Sequence, residues 1–222
     1  MRYNSVFEII GPVMVGPSSS HTAGAARIGN LARALLAEEP IVARFYLMGS
    51  FAETYQGHGT DLALIGGVMG FGPGHPGLAT ADLEAQQRGL EYSFQKKNFG
   101  FFHPNTVTIQ LYGETKEVNL IASSIGGGKA EVQEVDGLPV KFTGERPTLV
   151  LYHTDTRGFL AKVFHIIDGF GYNIARLSME RWNPNGNAIT VCEIDGYVRP
   201  ELGETLKAWI PELQDYRLIR IE

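Results

Sequence analysis

LVLYHTDTRGFLAKVFHIIDGFG, residues 149–171, contains a complete change of hydrophobic period. Leu149, Val150, Leu151 and Tyr152 form a continuous apolar run, which reads as a short buried strand. From Asp155 the spacing becomes helical, with Leu160, Val163, Phe164 and Ile167 on one face, and Gly169 and Gly171 end the helix. Downstream, Ala175, Leu177 and Met179 alternate with Arg176, Ser178 and Glu180, the pattern of a half-buried strand. Asn183-Pro184-Asn185-Gly186 is a turn, and a second strand runs from Ala188 to Ile194. Pro200 opens a helix with Leu202, Leu206, Trp209 and Ile210 on one face, and Tyr216 to Ile221 closes as a strand. The order is βαββαβ over residues 148–222, a ferredoxin-like arrangement.

Working outward, Thr143-Gly144-Glu145-Arg146-Pro147 is a short polar stretch that follows an apolar strand, Leu138 to Phe142. Its Gly and Pro make it a linker and separate residues 1–145 from residues 148–222. The N-terminal side is α+β, so the whole chain is of that class. Ile28, Leu31, Ala32, Leu35 and Leu36 make a helical stripe, and Ala43 to Met48 reads as a strand. Ser50 and Glu53 have capping-box spacing for a short helix. Thr60-Asp61 starts a second helix, with Leu62, Ile65 and Met69 on one face, and Thr80 a third. Val107, Ile109 and Leu111 alternate with Thr108 and Gln110, and Glu117 to Ala122 and Lys129 to Val135 continue a sheet.

The net charge of −5 argues against nucleic acid and anionic membranes as partners. No apolar run approaches the roughly 20 residues of a membrane span. MRYNSVFEII, residues 1–10, lacks the apolar core and cleavage site of a signal peptide. A single cysteine, Cys192, excludes an intrachain disulfide, and the expected location is the cytoplasm.

Four histidines, His21, His58, His75 and His103, sit in Gly/Pro-rich surroundings on the N-terminal side. None has the close spacing of a zinc site. Ser18-Ser19-Ser20-His21-Thr22 runs into a helix N-terminus, where hydroxyls and free N–H groups suit a carboxylate and an imidazole suits a proton acceptor. On the residues alone, a capping serine with two bystanders is the alternative. No G-x-S-x-G elbow and no G-x-G-x-x-G fingerprint occurs.

Gly16-Pro17-Ser18-Ser19-Ser20-His21-Thr22, followed by Ala23-Gly24, resembles the signature of bacterial iron-sulfur L-serine dehydratases, near the N-terminus as in their β subunits. Gly57-His58-Gly59-Thr60-Asp61 and Ser124-Ile125-Gly126-Gly127-Gly128 resemble further segments of that family. Asp155-Thr156-Arg157-Gly158-Phe159-Leu160, with Asn173-Ile174, resembles the ligand turn of ACT domains. A related domain occurs in some phosphoglycerate dehydrogenases.

The resemblance implies elimination of water from L-serine, giving aminoacrylate and then pyruvate and ammonia. It implies His21 as the base, with Ser20 and Thr22 beside it in the catalytic turn. Ser18 and Ser19 join Ser20 and Thr22 in orienting the carboxylate, and His58, Thr60 and Asp61 line the cleft. It implies a [4Fe-4S] cluster, one iron acting as Lewis acid, on the cysteines of a separate α subunit, since a cluster needs three or four thiolates and this chain has one. It implies ACT-mediated self-association and an amino-acid effector near Asp155, Arg157, Gly158 and Asn173, although Asp155 as a plain helix cap with Gly158 relieving crowding is an alternative. A non-catalytic amino-acid sensor built from the same two parts is the competing reading of the whole chain.

Overall fold

The computed structural model describes residues 13–98, 100 and 102–220. The N-terminal decapeptide and Ile221 lie outside these residues. Contacts divide the chain into two compact units, Met1–Asp136 and Gly137–Glu222.

The first unit is a five-stranded sheet covered by helices. Its strands are β1 (Val42–Leu47), β2 (Glu91–Lys96), β3 (Thr106–Tyr112), β4 (Glu117–Gly126) and β5 (Lys129–Val135), in the order β2-β1-β3-β4-β5. β1 and β2 are parallel, and the other neighbours are antiparallel. β2 is not legible in the sequence: it is an edge strand whose side chains are mostly exposed, so it carries no apolar alternation. Phe94 fastens it by stacking on Phe45.

Among the described residues this unit has four α-helices: α1 (Gly24–Leu36), α2 (Gly49–Thr54), α3 (Thr60–Val68) and α4 (Ala81–Arg88). The stripe Ile28, Leu31, Ala32, Leu35 and Leu36 on α1 is buried, as its spacing requires. The capping box at Ser50 and Glu53 does not form. α2 begins at Gly49, so Ser50 lies inside the first turn, and the cap position falls on Met48, which makes no side-chain bond.

α1 and α3 run side by side in the same sense. Thr22, just before α1, meets His58, just before α3, and Arg33 near the end of α1 meets Val68 at the end of α3. Between these contacts the backbones touch. A Cβ on Gly67 would lie 2.3 Å from the Ala26 carbonyl oxygen, and one on Gly29 would lie 2.8 Å from the Gly67 Cα. Only glycine permits this approach.

The second unit has the order β6 (Thr148–Thr154), α5 (Phe159–Gly169), β7 (Ile174–Arg181), β8 (Asn187–Ile194), α6 (Glu201–Trp209) and β9 (Leu213–Ile219). Its sheet is antiparallel in the order β7-β8-β6-β9, which is the ferredoxin-like topology. Leu149, Leu151, Cys192 and Ile194 pack against Phe159, Val163 and Ile167 of α5 and Leu202 and Leu206 of α6.

Three expectations for this unit are corrected. Leu138 and Phe142 make isolated bridges rather than a strand, because Pro139 between them has no N–H for a ladder. β7 does not bury alternate residues: a register shift leaves Ala175 outside the ladder, and Leu177 on the open edge is 41% exposed. Trp209 is 76% exposed. The buried residues of α6 are Leu202, Gly203 and Leu206, with Gly203 against the Tyr216 ring. Trp209, the last residue of α6, falls about 70° to one side of the centre of that face at 100° per residue.

The glycine crossing yields a stability prediction. Gly67→Ala in the full chain is expected to cost about 1–3 kcal/mol, since the new methyl meets a backbone carbonyl. Denaturant unfolding of the variant and the wild type measures this, and equal stabilities would show that the two helices separate at no cost.

Candidate functional site

The serine-rich turn is built backwards from α1. Gly16 has φ +126°, and a Cβ there would press on the Thr22 side chain at 2.5 Å, so the chain enters tightly. Ser18 is extended and serves as cap: its Oγ accepts from the His21 N–H at 3.2 Å and its carbonyl from the Thr22 N–H at 2.9 Å. Ser19–Ala23 is a π-helical turn, wider than the α1 that continues it. Ser18 is therefore the capping serine, and its neighbours are free for other contacts.

His21 is 8% exposed. Its Nδ1 lies 3.1 Å from Ser20 Oγ and 3.5 Å from Ser18 Oγ, and its Nε2 lies 3.0 Å from Ser50 Oγ on α2. Phe51 closes one side, with ring centroids 5.3 Å apart. His58 stands edge-on with centroids 4.9 Å apart and rings nearly perpendicular. The Thr22 hydroxyl donates to the His58 carbonyl at 3.2 Å, tying the two turns together. His58 is exposed, and its ring makes no hydrogen bond among the described residues. Burial, and then the nearby His58, holds the His21 pKa below the ordinary histidine value, so this imidazole favours the neutral form.

Thr60 and Asp61 follow His58 at the start of α3, after Gly59 with φ +64°. Thr60 is fully buried and its hydroxyl has no partner. Asp61 accepts from the Leu62 N–H at 2.9 Å, but burial pushes its carboxyl above the usual range. The fold thus gathers Ser18, Ser20, His21, Thr22 and His58, with Thr60 and Asp61 two and three residues beyond. Ser19 is half-buried in the same turn.

Ser50 and Arg27 at this place escape sequence reasoning, whereas Ser124 lies in a segment already singled out by its family resemblance. Ser50 gives no signal of its own, since it reads as a helix cap. Ser124, at the end of β4, is buried with an unpartnered hydroxyl, and a Cβ on Gly24 would stand 2.0 Å from it. Arg27 reaches the Gly128 carbonyl at 3.1 Å while its Nε has no partner. The three consecutive glycines after Ile125, all with positive φ, form the turn between β4 and β5. His75 is exposed and bonds its own turn, as does His103.

In the second unit the expected effector residues do not converge. Asp155 does not cap α5; Gly158 holds that position with φ +87°. The Asp155 carboxylate instead pairs with Arg181 at 2.5 Å and accepts from the Asn185 N–H, and the hydrogen bond from Arg181 keeps it below the usual carboxylate range. Arg157 is exposed beside it. Asn173 bonds Asp195 and precedes β7, whereas Asp155 follows β6. Strand register puts these at opposite ends of the sheet: Thr154 is opposite Asn187, and Ile174 is opposite Ile194.

Among the described residues no group of three His, Cys, Asp or Glu side chains is arranged to hold a metal. Burial pushes the Cys192 thiol up to about 12, so it is a poor ligand and a poor nucleophile. The residues of this chain do not fit an iron–sulfur cluster. No helix among the described residues is long and apolar enough to cross a membrane.

An α+β unit presenting a hydroxyl-lined imidazole pair at paired helix N-termini, followed by a ferredoxin-like unit, defines a two-part class of protein. Comparison with known proteins narrows it. The serine dehydratase beta chain family matches residues 5–91. The chain is 43% identical over 197 residues to the probable L-serine dehydratase beta chain of Bacillus subtilis, covering 88% of this chain and 89% of that protein. It is 42% identical over 209 residues to the L-serine dehydratase beta chain of Peptoniphilus asaccharolyticus, covering 93% and 92%. It is also 26% identical over 147 residues to a D-3-phosphoglycerate dehydrogenase of Methanocaldococcus jannaschii, 65% of this chain and 27% of that protein. The chain belongs to the serine dehydratase beta chain family.

His153 sets a pH limit on the second unit. It is fully buried, stacks on Phe159, donates from Nδ1 to the Thr154 carbonyl at 3.0 Å and accepts at Nε2 from Thr190 at 2.8 Å. Burial lowers its pKa below the unfolded value of 6.5. The unfolded chain therefore binds the proton more tightly, so this contribution is complete above pH 6.5 and fades as pH falls toward the folded pKa. Thermal unfolding from pH 7.5 to 5, followed by the fluorescence of Trp182 and Trp209, should show a falling midpoint that His153→Gln flattens. An unchanged slope in the variant would show that His153 does not titrate against folding.

Proposed function

We propose that this chain is the β chain of a two-chain L-serine dehydratase, acting with a separate α chain to convert L-serine to pyruvate and ammonia. The observation that carries the reading is the edge-on pair His21–His58 at the N-termini of α1 and α3, ringed by serine and threonine hydroxyls.

Elimination from serine begins with loss of a weakly acidic Cα proton, which a neutral imidazole accepts. His21 is the expected base, but both its ring nitrogens already face hydroxyls. His58 is exposed with a free ring edge. The proton acceptor that meets the substrate is therefore His58, and His21 is the buried neutral neighbour that holds it. Ser19, Ser20 and Thr22 border the substrate carboxylate at the positive end of α1, with Ser18 shaping their turn. Thr60 and Asp61 are read as belonging to the same cleft, with the Thr60 and Ser124 hydroxyls buried behind the turns. Loss of the proton and of the β-hydroxyl as water leaves aminoacrylate. Its imine tautomer takes up water to give pyruvate and ammonia.

The [4Fe-4S] cluster implied by the family resemblance is assigned to the cysteines of the α chain. The ferredoxin-like unit is read as an ACT domain that self-associates. A second copy would be needed to bring an Asn173 to an Asp155 turn. The single buried thiol fits a reducing, cytoplasmic setting.

Anaerobic co-purification followed by a serine-to-pyruvate assay tests the reading. A brown, cysteine-rich partner that confers elimination supports it; a colourless homo-oligomer that binds serine without consuming it overturns it. Within the active assembly, His58→Asn is expected to lower kcat about 10²–10⁴-fold, and His21→Asn by less. The reverse ranking would return the base to His21.

A further inference from the structure

Among the described residues of α2, Ser50 supplies the hydrogen-bonding group that reaches His21. Its Oγ lies 3.0 Å from His21 Nε2. Its place is fixed from behind. Gly49 has φ +55°, and a Cβ there would lie 2.6 Å from the Pro104 carbonyl oxygen. Met48 donates its N–H to the Thr106 carbonyl at 3.0 Å, and the Thr54 hydroxyl donates to the Ser50 carbonyl at 2.8 Å. Next in the chain, Phe51 is fully buried and sets its ring edge against His21. α2 is thus anchored at its N-terminal end, where Gly49 meets Pro104 and Met48 bonds Thr106, and it offers a single hydroxyl to the imidazole.

We infer that Ser50 is a positioning residue for the elimination: its hydroxyl holds His21 by Nε2 and so fixes the edge-on contact through which His21 orients His58. The inference rests on the function proposed above. Ser18 and Ser20 both approach Nδ1, and among the described residues Nε2 has Ser50 alone. Removing the Ser50 hydroxyl leaves a half-buried nitrogen without a partner and opens room for water. The ring then turns about its remaining Nδ1 contacts and takes a proton more readily, because burial is the main influence that keeps it neutral. The titratable group facing His21 is His58, from the turn before α3; the other sides are the three serine hydroxyls and Phe51.

The test uses Ser50→Ala and Ser50→Thr in the assembled two-chain enzyme. Ser50→Ala is expected to lower kcat roughly tenfold, the effect of one lost hydrogen bond, with KM within about twofold. Its acid limb should move to higher pH, and Ser50→Thr, which keeps the hydroxyl, should restore both. A kcat within twofold of wild type, or an unmoved acid limb, overturns the proposal. NMR titration of the His21 ring in the full-length chain gives a second reading that needs neither partner nor turnover. A raised His21 pKa in Ser50→Ala alone supports the contact, and identical titrations in all three chains overturn it. If the wild-type assembly fails to eliminate water from serine, the functional reading falls, and the titration still decides whether Ser50 governs His21.

Discussion

The backbone contact between Gly29 and Gly67 sets the geometry of everything nearby. Two helices packed through ordinary side chains lie 8–10 Å apart. Here the Cα of one glycine meets the backbone of the other, so α1 and α3 come closer than side chains would allow. Because they run in the same sense, that approach draws their N-termini together as well. The Ser18–Thr22 turn and the Gly57–Asp61 turn then meet, and Thr22 can hydrogen-bond the His58 carbonyl. Gly24 extends the same logic toward β4, where its missing Cβ leaves room for Ser124. Glycines otherwise costly in a helix thereby create a junction of two helix ends and a strand end.

Around the His21 ring the fold places hydroxyls rather than charges. His21 is flanked by hydroxyls rather than carboxylates, and burial favours its neutral form. A carboxylate partner would have stabilised the imidazolium and raised its pKa, which works against proton abstraction. Hydroxyls bond either tautomer without choosing a charge state. Two hydroxyls, on Thr60 and Ser124, are sealed from water with no partner. Such groups cost about 1–3 kcal/mol each when left unmet.

Much of this organisation is readable from the chain alone, and the limits are physical. The change from apolar run to helical spacing at Asp155 defines the second unit because both periods arise from burial on one face. Trp209 and Leu177 mislead for the same reason: hydrophobicity gives a residue its preference, but Gly203 and the β7 register shift decide which direction is inward. β2 is invisible because an exposed edge strand has no burial pattern to show. In the site, Ser18 to Thr22 is legible as a cap with an imidazole beside it. The partnership with Ser50 is not, since it joins residues 29 apart through an α2 whose start is displaced onto Gly49.

The chain's chemistry also bears on what it must receive from elsewhere. Its thiol is buried and held protonated, and its described acids and histidines form no metal cage. What it presents is a set of neutral donors and acceptors fixed by backbone packing. Such a surface can orient a carboxylate and accept a proton, and neither task needs an electrophile. Expelling hydroxide from serine is eased by a proton donor or a Lewis acid. The glycine crossing fixes that arrangement within the chain itself, through backbone contact between α1 and α3.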